Sequence, residues 1–213
     1  MSFFVKVLEK ENLSDCYYLE EDDICFYLGD YTPRGGYDCS DVNQLIANLK
    51  KSIDRREMNE YRYKLSAIDQ CASMIKDVLD HIILKQKTAS IIIIPIPPSK
   101  SKDHKLYDDR MIKIATKASQ DQDRVKVIEF VEQITSTDAM HLSASRLSPR
   151  QLQNNYDVLS EIPDTDNVEV VLIFDDILTT GSHFKAVKNM ILNQYPNLSG
   201  KIYGLFIAKV VRT

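Results

Sequence analysis

Tryptophan is absent from the chain, and the four cysteines, Cys16, Cys25, Cys39 and Cys71, never form a C-x-x-C pair. That spacing argues against a zinc ribbon and against a thioredoxin-like redox motif, so the cysteines are expected to be reduced and mostly buried. No apolar run approaches a transmembrane helix in length. The opening Met1-Ser-Phe-Phe-Val-Lys6 lacks the arrangement of a signal peptide. A cytoplasmic protein with no membrane partner is therefore expected. Excess charge is also scarce: 27 Lys and Arg against 31 Asp and Glu leave a net −4, so nucleic acid is not indicated as a partner. There is no internal repeat and no low-complexity tract. A length of 213 residues suits one domain with a modest accessory layer, and is enough to bury a sizeable core.

The apolar pattern orders the chain. Phe3 to Leu8 and Ile24 to Leu28 alternate as short strands. The acids at 20–23 between them have the composition of a solvated turn. From Ser40 or Asp41, both good N-caps, Val42, Leu45, Ile46, Leu49 and Ile53 recur at helical spacing. The basic stretch Lys50 to Lys64 reads as a solvated helix face. A second helix carries Leu65, Ile68, Cys71, Ala72, Ile75, Val78, Leu79 and Ile82 on one stripe. Four consecutive isoleucines, Ile91 to Ile94, then have the β-branched, two-sided apolarity of a central parallel strand. Pro95, Pro97 and Pro98 end its pairing, and Ser99, Lys100, Ser101 and Lys102 follow at the edge where ligands bind in open α/β sheets. A helix over roughly Leu106 to Ala118, a strand over Val125 to Val131, and a long polar stretch to Asp166 come next. Short helices are expected within that stretch at Asp138 to Leu142 and Pro149 to Asn155.

The chain is organised around Val168 to His183, V-E-V-V-L-I-F-D-D-I-L-T-T-G-S-H. A buried strand ends at two adjacent acids, Asp175 and Asp176. Thr179-Thr180-Gly181-Ser182 then leads into a helix from about Phe184. Free N–H groups at a helix start, with the positive end of its dipole, suit an anion, and hydroxyls add donors. Thr and Ser also cap helices where no ligand binds. Carboxylates repel phosphate, so the acids are placed to accept from sugar hydroxyls beside it or to sit near a metal. A ribose 5-phosphate requires both functions side by side.

Apolar strand, two acids, two apolar residues and T-T-G resemble the phosphoribosyl pyrophosphate (PRPP) motif of the type I phosphoribosyltransferases. D-D-I-L-T-T-G and P-I-P-P-S are similar to the ComF-like branch, here without its N-terminal zinc ribbon. The resemblance implies an α/β fold with a mostly parallel, doubly wound sheet, a hood-like N-terminal layer over residues 1–64, and a core over 65–213 with a flexible lid at about 133–166. It also implies that Asp175 and Asp176 hold the ribose hydroxyls, that Thr179, Thr180, Gly181 and Ser182 cradle the 5-phosphate, and that Ile177, Leu178 and His183 belong to the same PRPP-binding segment. Pro98, Ser99 and Lys100 would form the pyrophosphate loop, which in this family often uses a strained peptide bond. Mg²⁺ would be held at Asp175 and Asp176 largely through PRPP and water. Lys100, with Arg146 or Arg150, would stabilise the leaving group beside Asp175 and Asp176. The implied reaction displaces pyrophosphate with a nitrogen nucleophile on a small-molecule acceptor; the alternative is a PRPP- or nucleotide-sensing module acting through a partner protein. A homodimer is the default assembly. Two departures bear on chemistry. His183 stands where the family loop usually ends in Thr, and Thr179 stands where hypoxanthine-guanine enzymes carry an acid, which argues against purine salvage.

Overall fold

Ile91, Ile92, Ile93 and Ile94, each at most 1% exposed, set the centre of the sheet. Full burial of one such side chain is worth about 1.5–3 kcal/mol, which makes this run a strong determinant of strand position. The structure, a computed structural model, describes residues 5–85, 90–136 and 147–211. Nine strands are present among these residues: β1 Lys6–Val7, β2 Cys25–Tyr27, β3 Asp30–Tyr31, β4 Ile91–Pro95, β5 Val125–Val127, β6 Val131–Gln133, β7 Tyr156–Val158, β8 Val170–Leu178 and β9 Lys201–Val210. The α-helices are α1 Asp41–Leu49, α2 Arg62–Lys85, α3 Arg110–Ser119, α4 Pro149–Gln153 and α5 Ser182–Gln194. None of the described helices is long and apolar enough to cross a membrane.

The main sheet runs β1-β2-β9-β8-β4-β5, with β3 also paired to β9. Every pairing in it is parallel except β1 with β2. Helices cover both faces. On one, Ile91, Ile93, Val170, Leu172 and Phe174 pack with α1, α2 and α3. On the other, Ile92, Ile94, Val171 and Ile173 pack with α5 and with Leu152 of α4. The chain is thus an α/β protein with a mostly parallel sheet, as expected.

Local chemistry explains the element ends. Ser40 Oγ accepts the Asn43 amide at 3.0 Å and starts α1. Ser148 and Gln151 form a capping box that starts α4, with Pro149 in its first turn. β4 ends at Pro95, opposite Phe174; the Ile96 amide still donates to the Phe174 carbonyl at 2.8 Å, and Pro97 and Pro98 beyond it have no N–H to continue the ladder. β8 keeps β9 as a partner as far as Leu178↔Lys209. The acids therefore lie inside β8, not beyond its end.

Several expectations change. The strand expected over Val125 to Val131 is two strands in different sheets. The Phe130 amide turns back onto the Ile128 carbonyl at 2.9 Å, carrying the chain off the main sheet into the β6–β7 hairpin. Helix α3 begins at Arg110, four residues later than expected, because 101–107 are taken up by turns closed on Ser101 and His104. Lys50 to Lys64 is not one helix: α1 ends at Leu49, two 3₁₀ turns follow, and α2 starts at Arg62. The residue-64 boundary falls in the first turn of α2, and β2 and β3 extend the same sheet through β9. The acids at 20–23 are more than a solvated turn, since Asp23 is 5% exposed and pairs with Lys185 and Lys188 of α5.

Of the stretch 133–166, residues 137–146, with Arg146 and the short helix expected at Asp138 to Leu142, lie outside the described residues. The remainder is anchored. Gln153 Nε2 donates to the Ala186 carbonyl at 3.2 Å, the Ile162 amide donates to Tyr195 Oη at 2.8 Å, and Leu152 and Tyr156 are buried. A lid moving as one piece across 133–166 would break these contacts.

Candidate functional site

The notch where β4 has stopped and β8 continues contains Asp175 and Asp176. An extended strand sends adjacent side chains to opposite faces. The partners of the two acids accordingly lie in the two different cores.

Asp176 is buried and faces α1 and α3. Its Oδ2 accepts from an Arg110 guanidinium nitrogen at 2.6 Å, and its Oδ1 lies 3.2 Å from Lys50 Nζ. Arg110 also pairs with Asp108 Oδ2 at 2.5 Å, and the same oxygen accepts from Lys64 Nζ at 2.7 Å. Lys64 is 1% exposed, yet its ammonium is satisfied, because Leu49 and Lys51 offer carbonyls at 2.7 and 2.8 Å. The C-terminus of α1 thus provides acceptors for a buried cation, at the negative end of the helix dipole. The result is a chain of alternating charges, Lys64–Asp108–Arg110–Asp176–Lys50. Burial works to raise the Asp176 carboxyl, but Lys50 and Arg110 outweigh it and hold it below the ordinary value. Burial likewise works against the Arg110 charge, and Asp176 and Asp108 outweigh it. Arg110 Nε alone among described buried side-chain polar atoms has no hydrogen-bond partner.

Asp175 faces the other core. Its Oδ1 accepts the Asp176 amide at 2.8 Å. Burial, reinforced by the Asp176 charge, pushes its carboxyl up to about 7. Tyr156, buried on β7, has its phenol raised by burial and then by the Asp175 charge. Tyr156 Oη lies 2.7 Å from His183 Nδ1 in the first turn of α5, so the β6–β7 hairpin is tied to the loop after β8.

That loop has the form of an anion cradle. Gly181 adopts φ 80°, a left-handed conformation that glycine tolerates, and α5 starts at Ser182 with no side-chain cap. Thr180 Oγ1 donates to Ser182 Oγ at 3.3 Å. The N-terminal segment closes over one side of it. The Tyr18 amide donates to the Thr180 carbonyl at 3.1 Å, and a Cβ on Gly181 would come within 2.5 Å of Leu19.

The loop after β4 is braced from the hairpin side. Gln133 Nε2 donates to the Ser99 carbonyl at 2.8 Å, and the Ser101 amide donates to Ser136 Oγ at 3.1 Å. Pro98 and Lys100 are partly buried and Ser99 is exposed. The described chain has no cis peptide, and Pro98, Ser99 and Lys100 have no positive φ, so the strained peptide bond implied for this loop is not found. Lys102 pairs with Glu129 at 2.9 Å. Arg150 is exposed on α4 and makes no ion pair with another described residue. Ile177 and Leu178 complete β8 as packing residues.

The donor set bears on Mg²⁺. Both Asp176 oxygens already face cations, and one Asp175 oxygen accepts an amide, so a cage of direct carboxylate bonds does not suit these residues. Contact through water to an ion carried on the ligand does suit them. The Glu20, Asp22 and Asp23 carboxylates also lie close together, but Lys185 and Lys188 between them already pair with all three. The large groove of about 1170 Å³ between α2 and the sheet is lined by Phe26, Leu28, Val78, Tyr203 and Leu205, at the end of β8 marked by Val170 and Leu172. Ligands of open α/β sheets bind at the carboxyl ends of the strands, so the acids, and not this groove, define the candidate site.

Lys50, Arg110 and Tyr156 are the residues that sequence reasoning missed. Arg110 is 66 residues from Asp176 along the chain, and nothing local to either residue marks the pair. No protein-family model matches this chain, and none of the curated proteins matches it. Its class is therefore stated from geometry alone: an α/β protein with paired acids and an uncapped helix N-terminus at the carboxyl end of the central strands.

Proposed function

We propose that this chain is a type I phosphoribosyltransferase, similar to the ComF-like branch without the zinc ribbon, that binds PRPP and displaces its pyrophosphate with a nitrogen nucleophile. One observation carries this reading. Left-handed Gly181 opens α5 with no side-chain cap, directly after the acids of β8 and beside the point where Pro95 ends β4. Phosphate donors and hydroxyl acceptors then lie within one strand–loop–helix unit.

In this reading the first-turn amides of α5, with Thr179, Thr180, Ser182 and His183, bind the 5-phosphate. Asp175 and Asp176 take the ribose hydroxyls. Pro98, Ser99 and Lys100 face the diphosphate. The acceptor nitrogen forms a bond to C1 as the C1–O bond breaks, and the electron pair leaves with pyrophosphate. Lys100 stabilises that developing charge, aided by Arg146 or Arg150. Mg²⁺, touched by Asp175 and Asp176 through water, would supply further charge neutralisation on the diphosphate. Thr179 is no general base, so the acceptor is not a purine that must be deprotonated from that position. A cytoplasmic, homodimeric protein belongs to the same proposal.

A second reading has its own support. Asp176 is already neutralised by Lys50 and Arg110, as suits a PRPP- or nucleotide-sensing module that acts through a partner protein. Pyrophosphate release from PRPP, followed over a panel of nucleobases and amines, separates the two readings. Release above the acceptor-free rate with any member supports the enzyme. Saturable PRPP binding with no release across the panel replaces it with the sensor.

A further inference from the structure

Two cations hold Asp176, and they are held very differently. Arg110 is 18% exposed at its side chain and clamped between two carboxylates at 2.5 and 2.6 Å, with Nε buried and unpartnered. Lys50 has a side chain 42% exposed and a longer pair, 3.2 Å from Asp176 Oδ1. The Lys50 ammonium keeps one side open to solvent, so it can reach a second anion that arrives beside buried Asp176. The backbone around Lys50, by contrast, is pinned. Its amide donates to the Ile46 and Asn48 carbonyls as the cap of α1, and the carbonyls on either side of it, Leu49 and Lys51, both accept from buried Lys64. The fixed backbone sets where this half-exposed ammonium can reach at the edge of the site.

We propose that Lys50 is a ligand-binding residue of this site, and that sugar diphosphate entry exchanges partners at Asp176. A sugar hydroxyl takes the place of the ammonium on Oδ1, and the ammonium moves onto the diphosphate. Arg110 stays on Oδ2 throughout as a positioning residue. The N-terminal layer thereby contributes a cation to the core's site through α1. The inference rests on the reading of this site as a PRPP site and adds a contact that the motif does not contain.

The test titrates PRPP and ribose 5-phosphate separately into the wild type, Lys50→Ala, Lys50→Arg and Arg110→Lys by calorimetry, with thermal melting of each variant. Lys50→Ala is expected to weaken PRPP by roughly tenfold or more, the value of one charge-assisted hydrogen bond. It should leave ribose 5-phosphate unchanged or tighter, because that ligand has no diphosphate and meets one competitor fewer at Asp176. Lys50→Arg should restore PRPP. Arg110→Lys, which releases Asp176, should weaken both ligands together. Equal loss of both ligands in Lys50→Ala, or no change in either, overturns the exchange and leaves the PRPP site standing. A folded wild type that binds neither ligand overturns the PRPP reading, and the exchange falls with it.

Discussion

The two sides of β8 place one residue type in opposite environments. On the α1 and α3 side, Asp176 closes a chain of five alternating charges and its carboxyl is held below the ordinary value. On the α5 side, Asp175 sits among an amide, a phenol and a histidine-bearing loop, and its carboxyl is pushed up to about 7. Adjacent acids on a strand thus meet two environments while still acting on each other: one is held as an anion, and its charge helps push the other toward the protonated form. For a sugar with two neighbouring hydroxyls, the difference supplies an obligate acceptor and a group able to accept or donate.

The comparison can be broken most forcefully on the charged side. Asp108→Ala would leave Lys64 and Arg110 buried without their shared carboxylate. It should cost about 3–5 kcal/mol in denaturant unfolding, the usual consequence of removing one member of a buried ion-pair chain. A loss below about 1 kcal/mol, the surface-pair range, would show that the chain is not a buried network.

The titrating side is sharpened by pH. The Asp175 carboxyl is raised in the folded chain, so its contribution to stability is present below the ordinary carboxylate range and is lost as pH rises toward 7. Between about pH 4 and 7 the wild type should therefore lose stability relative to Asp175→Asn, whose side chain does not titrate. Parallel stability curves over that interval would place the Asp175 carboxyl at its ordinary value.

The smallest expected effect belongs to the hydrogen-bonded pair on the same side. Tyr156→Phe removes the contact to His183 Nδ1 and keeps the ring buried, so it should cost about 1 kcal/mol. Its diagnostic sign is a change in the His183 ring resonances by NMR with the remaining spectrum preserved. An unmoved His183 would detach the hairpin from the loop after β8.

What could be read in the sequence follows the range of the interactions. Four isoleucines before a proline mark β4, Ser40 marks the start of α1, and the strand–acid–glycine–helix order marks β8 and α5, since each signal is contained within a few residues. The charged half of the site was not legible. Lys50 looks like one lysine of a basic stretch, and Arg110 like one charge in D-D-R at a helix start. Each acquires a role only when β8, α1 and α3 converge. Asp23 was misread for the same reason, because its partners Lys185 and Lys188 lie some 160 residues away. The break at Glu129 escaped because a three-residue turn over Ile128, Glu129 and Phe130 contains no glycine or proline to mark it within an apolar run.

The measurement that bears most directly on the central claim is calorimetric titration of PRPP, with Mg²⁺ present, into the wild type and into the Asp175→Asn/Asp176→Asn double variant. Circular dichroism would verify that both are folded. The account predicts saturable binding by the wild type and none by the double variant. A folded wild type that gives no saturable heat, or a double variant that binds PRPP as tightly as the wild type, would contradict it.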